Sequence, residues 1–174
     1  MCGFVGFTST EDVEKNNNIL KEMNDKLTHR GPDGEGYYND GTIFLGHKRL
    51  SIIDLNERSN QPFTDNAGKH IIVYNGEIYN YIELKKELEN EKYIFSTTSD
   101  TEVLLKAYIH WGPNLLKKIK GMFSFVIYDI EKKILFFARD HFGQKPFFYY
   151  FKNNKFIFFS ELRSILKHPS IEKK

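Results

Sequence analysis

The 174 residues include one cysteine, one tryptophan and five prolines. A single cysteine excludes an intrachain disulfide framework and argues against a cysteine-based zinc site. It fits a reducing compartment, and a cytoplasmic location is expected. No apolar run approaches the roughly 20 residues needed to span a bilayer. The N-terminus has no basic segment followed by an apolar one, so no signal peptide is read. Charge of one sign is not in excess either. The 25 basic and 23 acidic residues leave a net +2, which gives no reason to expect nucleic acid or a membrane surface as partner. The six histidines, at 29, 47, 70, 110, 141 and 168, show no metal-ligand spacing, so no metal site is expected. No G-x-x-x-x-G-K-[ST] loop occurs. Gly31 to Gly36 give G-x-x-G-x-G after a helix, not the dinucleotide fingerprint after a strand.

What is present suits one domain over residues 1–174, with 40% hydrophobic residues, among them 16 Phe and 10 Tyr, to fill a core. A strand is read over Cys2–Thr8, then a helix over Glu11–Leu27 from the spacing of Val13, Leu20, Met23 and Leu27. His29-Arg30-Gly31-Pro32-Asp33-Gly34 cannot continue that helix and reads as a shaped loop, either an ordered lid or a Pro-Gly turn. Strands follow around Asn39-Asp40-Gly41. Arg49–Leu55 reads as extended and apolar, and His70–Tyr74 and Tyr93–Thr97 as strands. Asn80 with Glu83, and Ser99 with Glu102, have the capping-box pattern and open two further helices. From Met122 onward four near-continuous apolar runs are separated by turns at Glu131-Lys132-Lys133 and Asn153-Asn154. Because they do not alternate apolar with polar, both faces of these strands are expected to be buried, as in two stacked sheets covered by helices.

Cys2 is the residue that best suits chemistry. Removal of Met1 leaves a thiol and a free α-amine on one residue. Their reference pKa values, about 8.5 and about 7.7–8.0, let the neutral amine take the thiol proton near pH 7. The plainer alternative is a small apolar residue opening a strand. Asn75-Gly76 has two readings as well. It is a strong signal for a tight hairpin turn, and it is also a pair of donors, an amide NH₂ and an accessible backbone N–H, suited to an oxyanion. Arg49 and Asp100 make a plausible clamp for a zwitterion, one holding a carboxylate and the other an ammonium. Each also has a purely structural alternative, a surface arginine and a helix N-terminal acid.

The order of these motifs carries more than any one of them. Met1-Cys2-Gly3-Phe4-Val5-Gly6-Phe7, His29-Arg30-Gly31-Pro32-Asp33-Gly34, His47 to Leu55, Gln61-Pro62-Phe63, Tyr74 to Asn80 and Ser99-Asp100-Thr101-Glu102 together resemble the class II glutamine amidotransferases. Within them the chain resembles the glutaminase domain of the glutamine-hydrolysing asparagine synthetases, as do Arg139 to Pro146 and Ser160 to Leu166.

That resemblance implies an α+β fold, the N-terminal nucleophile hydrolase four-layer αββα sandwich with mainly antiparallel sheets. It implies hydrolysis of L-glutamine to L-glutamate and ammonia, with Cys2 attacking the side-chain amide and Asn75 and Gly76 holding the oxyanion. Arg49 is expected to hold the substrate α-carboxylate, and Asp100 with Glu77 the α-ammonium. Leu50, Ser51, Ile52 and Ile53 are expected to line the pocket. A synthetase domain or subunit is the expected partner. Its Ser-Gly-Gly pyrophosphate loop does not occur in this sequence, so no cofactor is expected here, and ATP and magnesium belong to that missing part. The competing reading is a non-catalytic glutamine-binding or partner domain of a synthetase complex. The five residues Cys2, Arg49, Asn75, Gly76 and Asp100 together argue against it.

Overall fold

Phe123, Phe125 and Ile127 pack on one side of their strand, and Val126 and Tyr128 on the other. A continuous apolar run does this when a strand lies between two cores, since successive side chains point to opposite faces. The computed structural model describes residues 1–171. Its elements run β1 (Gly3–Thr8), α1 (Val13–Asp25), β2 (Gly34–Asn39), β3 (Ile43–Arg49), β4 (Phe63–Thr64), β5 (His70–Ile78), α2 (Tyr81–Asn90) and α3 (Asp100–Trp111). They continue with β6 (Gly121–Asp129), β7 (Ile134–Arg139), β8 (Phe148–Lys152), β9 (Lys155–Phe159) and α4 (Leu162–Ile165). One antiparallel sheet has the order β2-β3-β1-β9-β8 and the other β4-β5-β6-β7.

Three cores separate four layers. Leu20, Met23 and Leu27 of the α1 region pack with Val5, Phe7 and Phe44 on the outer face of the first sheet. Phe4, Leu45, Val73, Val126 and Phe158 fill the space between the sheets. Leu84, Leu88, Val103 and Leu104 of α2 and α3 cover the outer face of the second. Gly6 makes the middle core possible at one point, because a Cβ there would lie 2.3 Å from the Phe158 ring.

The expected two-sided burial holds for β6 and for the Ile157–Phe159 end of β9, but not for β7 and β8. These two are the outer strands of their sheets, and their cover by the helices is partial: Phe136 of β7 stacks on Tyr108 of α3 at 5.0 Å, and Tyr150 of β8 packs on the α1-side core. Phe137, Tyr149 and Phe151 are exposed there, and Phe137 stacks on Phe147 and Phe156 across the sheet edges at 5.5 Å. The Asn153-Asn154 turn forms as read, both residues having left-handed φ of 51° and 62°, as a two-residue hairpin turn requires.

Other expectations are corrected. No strand forms over Tyr93–Thr97. The Glu102 carboxylate accepts the Ser96 and Thr97 backbone N–H groups at 2.7–3.1 Å, so these donors need no strand partner. Glu102 thereby leaves the capping box incomplete, although Ser99 caps α3 through Thr101 N at 3.1 Å. Asn80 stands at the start of α2 without capping it. Its amide bridges the Lys118 carbonyl and the Lys120 N–H instead. Beyond Arg49 the chain leaves the sheet, and Leu50–Leu55 is irregular rather than extended.

At the end of the sandwich where Cys2 lies, a side chain of one sheet bonds to the backbone of the other. His47 of β3 is fully buried, and its Nε2–H donates to the Tyr74 carbonyl of β5 at 3.0 Å. Burial pushes its pKa down to about 4, and the nearby Arg49 charge pushes the same way. An unfolded histidine takes up a proton below about 6.5, whereas this one does so only near 4. Stability is therefore complete above the unfolded value and is lost as pH falls toward the folded one. Between pH 7.5 and 5 His47 alone should cost about 2 kcal/mol. Urea unfolding midpoints at the two pH values check this, and His47→Gln should remove that share of the loss.

Candidate active site

Cys2 precedes β1, one residue beyond the rung that pairs Gly3 with Lys48. That register places it beside Arg49 and Leu50, where β3 ends. The Leu50 N–H donates to Cys2 Sγ at 3.3 Å, and the thiol faces the Leu50 carbonyl at 3.5 Å. Burial raises the thiol pKa, while the Leu50 N–H and the cationic charges of the N-terminus and Arg49 oppose the rise. Met1 lies over the same cavity, its sulfur accepting from Lys145 Nζ at 3.3 Å.

Asn75 and Gly76 are in the middle of β5, not in a turn. Tyr79 N donates to the Lys120 carbonyl and Ile130 N to the Lys69 carbonyl, so the odd-numbered residues of β5 make the bonds to β6. The N–H groups of residues 74, 76 and 78 consequently point away from β6. Tyr74 N donates to Gln61 Oε1 at 2.6 Å, and Ile78 N to Asp100 Oδ2 at 3.1 Å. Gly76 N–H, between them, has no hydrogen-bond acceptor among the described residues. A side chain at Gly76 would meet the Met122 carbonyl at 2.3 Å. Asn75 Nδ2 is buried and likewise has no partner among the described residues. A buried donor without an acceptor costs about 1–3 kcal/mol. Two such donors, on adjacent residues at one cavity, suit an oxygen that gains negative charge during a reaction.

Asp100 opens α3 with its carboxylate buried, accepting from Tyr74 Oη at 2.8 Å and from Ile78 N. Burial raises its pKa first and the neighbouring Glu77 charge adds to the rise, against those two donors. Two carboxylates that repel each other in one cavity favour a cation between them.

Nine of the ten candidate residues line this one cavity: Cys2, Arg49, Leu50, Ile52, Ile53, Asn75, Gly76, Glu77 and Asp100. Ser51 does not; its N–H is held by Asp33 Oδ2 at 2.9 Å. Ile52 is the most open of the wall residues, at 71% exposure. Arg49 is buried, but its guanidinium is engaged by the loop it precedes. It donates to the Asn56 carbonyl at 2.8 Å, to Asn60 Oδ1 at 2.9 Å and to the carbonyls of Ile53 and Asp54. The sequence left three further contributors without a role. Arg30 Nε donates to the Cys2 carbonyl at 3.1 Å. Gln61 ties β5 to Thr101 of α3. Asp140 collects the N–H groups of Phe123, Phe142, Gln144 and Lys145, and so turns Lys145 into the cavity. Their motifs were visible, but not what the side chains touch. Among the described residues no group of three His, Cys, Asp or Glu side chains is placed to hold a metal ion.

Two stacked antiparallel sheets between helical layers make this an N-terminal nucleophile hydrolase-like four-layer fold, with the Cys2 thiol before the first strand of one sheet and the open donors of Asn75 and Gly76 on the other. The structure is similar in fold to a glutamine phosphoribosylpyrophosphate amidotransferase from B. subtilis, with a TM-score of 0.78 and 24% identity, over 94% of this chain and 43% of that one. Within the class, the glutamine amidotransferase domain family matches residues 1–174, and the chain belongs to it. It is 44% identical over 172 residues to asparagine synthetase [glutamine-hydrolyzing] 1 of Bacillus subtilis, covering 95% of this chain and 27% of that protein. It is 37% identical over 169 residues to asparagine synthetase B [glutamine-hydrolyzing] of Escherichia coli, covering 95% of this chain and 30% of that protein. The chain thus spans between a quarter and a third of the length of these relatives. No helix among the described residues is long and apolar enough to cross a membrane.

Proposed function

We propose that this chain hydrolyses L-glutamine to L-glutamate and ammonia through a γ-glutamyl thioester on Cys2. The observation that carries the reading is the unpartnered Asn75 Nδ2 in the cavity that also holds the Cys2 thiol. Loss of Met1 makes the Cys2 nitrogen an amine. That amine takes the thiol proton as sulfur adds to the γ-carbonyl carbon. Negative charge then develops on the carbonyl oxygen and is met by Asn75 Nδ2 and Gly76 N–H. The intermediate collapses with cleavage of the C–N bond, and the ammonium form of the Cys2 amine protonates the departing nitrogen. Water, deprotonated by the same amine, hydrolyses the thioester and restores the thiol.

Asp100 and Glu77 receive the substrate α-ammonium. Arg49 receives the α-carboxylate by exchanging loop carbonyls for a charged acceptor, which makes stronger bonds. Leu50, Ile52 and Ile53 form the wall beside the substrate, and Ser51 fixes that wall through Asp33. The ammonia supplies an amidation of aspartate on a synthetase domain or subunit, by analogy with the relatives of that name. A cytoplasmic, reducing setting suits a single thiol that must stay free.

Glutamate release from glutamine by the purified chain at neutral pH, with the N-terminal residue determined by mass spectrometry, tests the reading. Release by chain that begins at Cys2, and none by chain that retains Met1, is expected. No release from either overturns it. Omitting the α-carboxylate tests the clamp. With 4-aminobutanamide, kcat/KM should fall on the order of 10²- to 10³-fold, since two charge-assisted bonds are lost. An unchanged kcat/KM removes Arg49 from the role.

A further inference from the structure

The Cys2 carbonyl is held from a direction that the proposed chemistry does not use. Arg30 lies along Gly3, so that a Cβ on that glycine would be 3.2 Å from its Cδ and Nε. Its Nε donates to the Cys2 carbonyl at 3.1 Å. The side chain is 13% exposed, and Nη2 is buried without a partner among the described residues. Arg30 Nη1 lies 3.8 Å from Glu161 Oε2. No other carboxylate among the described residues pairs with this guanidinium. A guanidinium withdrawn from water needs such a countercharge, and loses its fixed position when the countercharge goes.

Glu161 is itself tied to the strand that carries the nucleophile. The residue before it, Ser160, bonds Phe4 twice. Its N–H donates to the Phe4 carbonyl at 2.9 Å, and its hydroxyl accepts from the Phe4 N–H at 3.1 Å. His29 Nε2 sits 3.0 Å from the same carboxylate oxygen and fixes it from the solvent side. The carboxylate therefore stands at a set position relative to β1, and Arg30 spans from it to the first residue of the site.

We infer that Glu161 is a positioning residue: acting through Arg30, it fixes the backbone of Cys2 so that the thiol stays against the Leu50 amide and in line with the Asn75 and Gly76 donors. The kinetic part of this inference rests on the proposed glutamine hydrolysis. The positional part does not. A nucleophile displaced by a fraction of an ångström loses rate without losing substrate, because binding is done by other groups.

Glu161→Gln keeps the shape and removes the charge. Paired with Arg30→Met in a double-mutant cycle, it gives the test. Two readouts are taken on chain beginning at Cys2: kcat and KM for glutamine, and the rate at which iodoacetamide alkylates Cys2, the only thiol. Glu161→Gln is expected to lower kcat at least 10-fold with KM within twofold, and to speed alkylation at least threefold as the thiol leaves the Leu50 amide. In the Arg30→Met background it should change neither, since a residue that acts only through another is silent once that other is gone. Unchanged kcat and alkylation in the single variant overturn the inference, as do effects that simply add in the double. If the parent chain does not turn over glutamine at all, the proposed function fails while the alkylation cycle still decides the role of Glu161.

Discussion

A Cys2→Ala variant is expected to release no measurable glutamate while still binding glutamine. The loss should be on the order of 10⁴-fold or more, because the covalent route disappears and no second nucleophile takes its place. Cys2 is the only cysteine in the chain. Binding should survive because the groups assigned to the two α-substituents, Arg49, Glu77 and Asp100, are on other elements. Arg49 ends β3, Glu77 is in β5, and Asp100 opens α3. The fold should survive too, since the alanine gives up only the 3.3 and 3.5 Å contacts of Sγ with Leu50. Calorimetric titration with glutamine alongside the glutamate assay separates the two effects. Loss of binding together with turnover would make the thiol part of the binding surface; residual turnover above about one part in 10³ would point to another nucleophile.

Asn75→Ala should separate activity from stability in the opposite sense to most core substitutions. Removing one oxyanion donor costs on the order of 10²- to 10³-fold in kcat, with little change in KM. A buried asparagine normally supports the fold through its hydrogen bonds. Asn75 Nδ2 makes none among the described residues, so its removal relieves an unsatisfied donor rather than breaking a bond. The unfolding free energy should stay within about 1 kcal/mol of the parent value, the small cavity offsetting that relief. Steady-state kinetics and a urea titration on the same preparation check both halves. A large drop in stability would show that the amide has a structural partner, and an unchanged kcat would take it out of the oxyanion site.

Much of this arrangement was legible in the residues, and the exceptions share a cause. β6 could be read because a strand between two cores must be apolar throughout. β7 and β8 carry the same kind of run but lie at sheet edges, and composition alone does not say which strand is outermost. Tyr93–Thr97 has a strand's residue types, yet Glu102, a residue of the following helix, takes its backbone donors. Asn75-Gly76 carries the signature of a hairpin turn and stands mid-strand because Ser124 and Phe123 of β6 pair with it. The candidate residues were picked out by their motifs, and nine of the ten line one cavity. The occupied guanidinium of Arg49 and the hold of Arg30 on Cys2 were not. Both depend on contacts across loops, between Arg49 and Asn60 and between Arg30 and Cys2, and local pattern contains no trace of them. One departure from local rules is itself informative: proteins tolerate an unsatisfied donor where it serves a purpose, and Asn75 breaks the rule that buried polar groups are paired.

The bond from His47 to the Tyr74 carbonyl crosses between the sheets one residue before Asn75. The thiol stands just before the first strand of one sheet and the proposed oxyanion donors are in the other, so the distance between sulfur and donors follows the spacing of two slabs. In the proposed reaction, alignment is thus a matter of stacking tolerance. The imidazole acts as a fixed spacer that keeps the slabs from sliding at the one end where sliding would matter. A close-packed interior resists such shear, which makes the Phe4, Val73 and Phe158 layer between the sheets part of what would set the geometry of the proposed reaction.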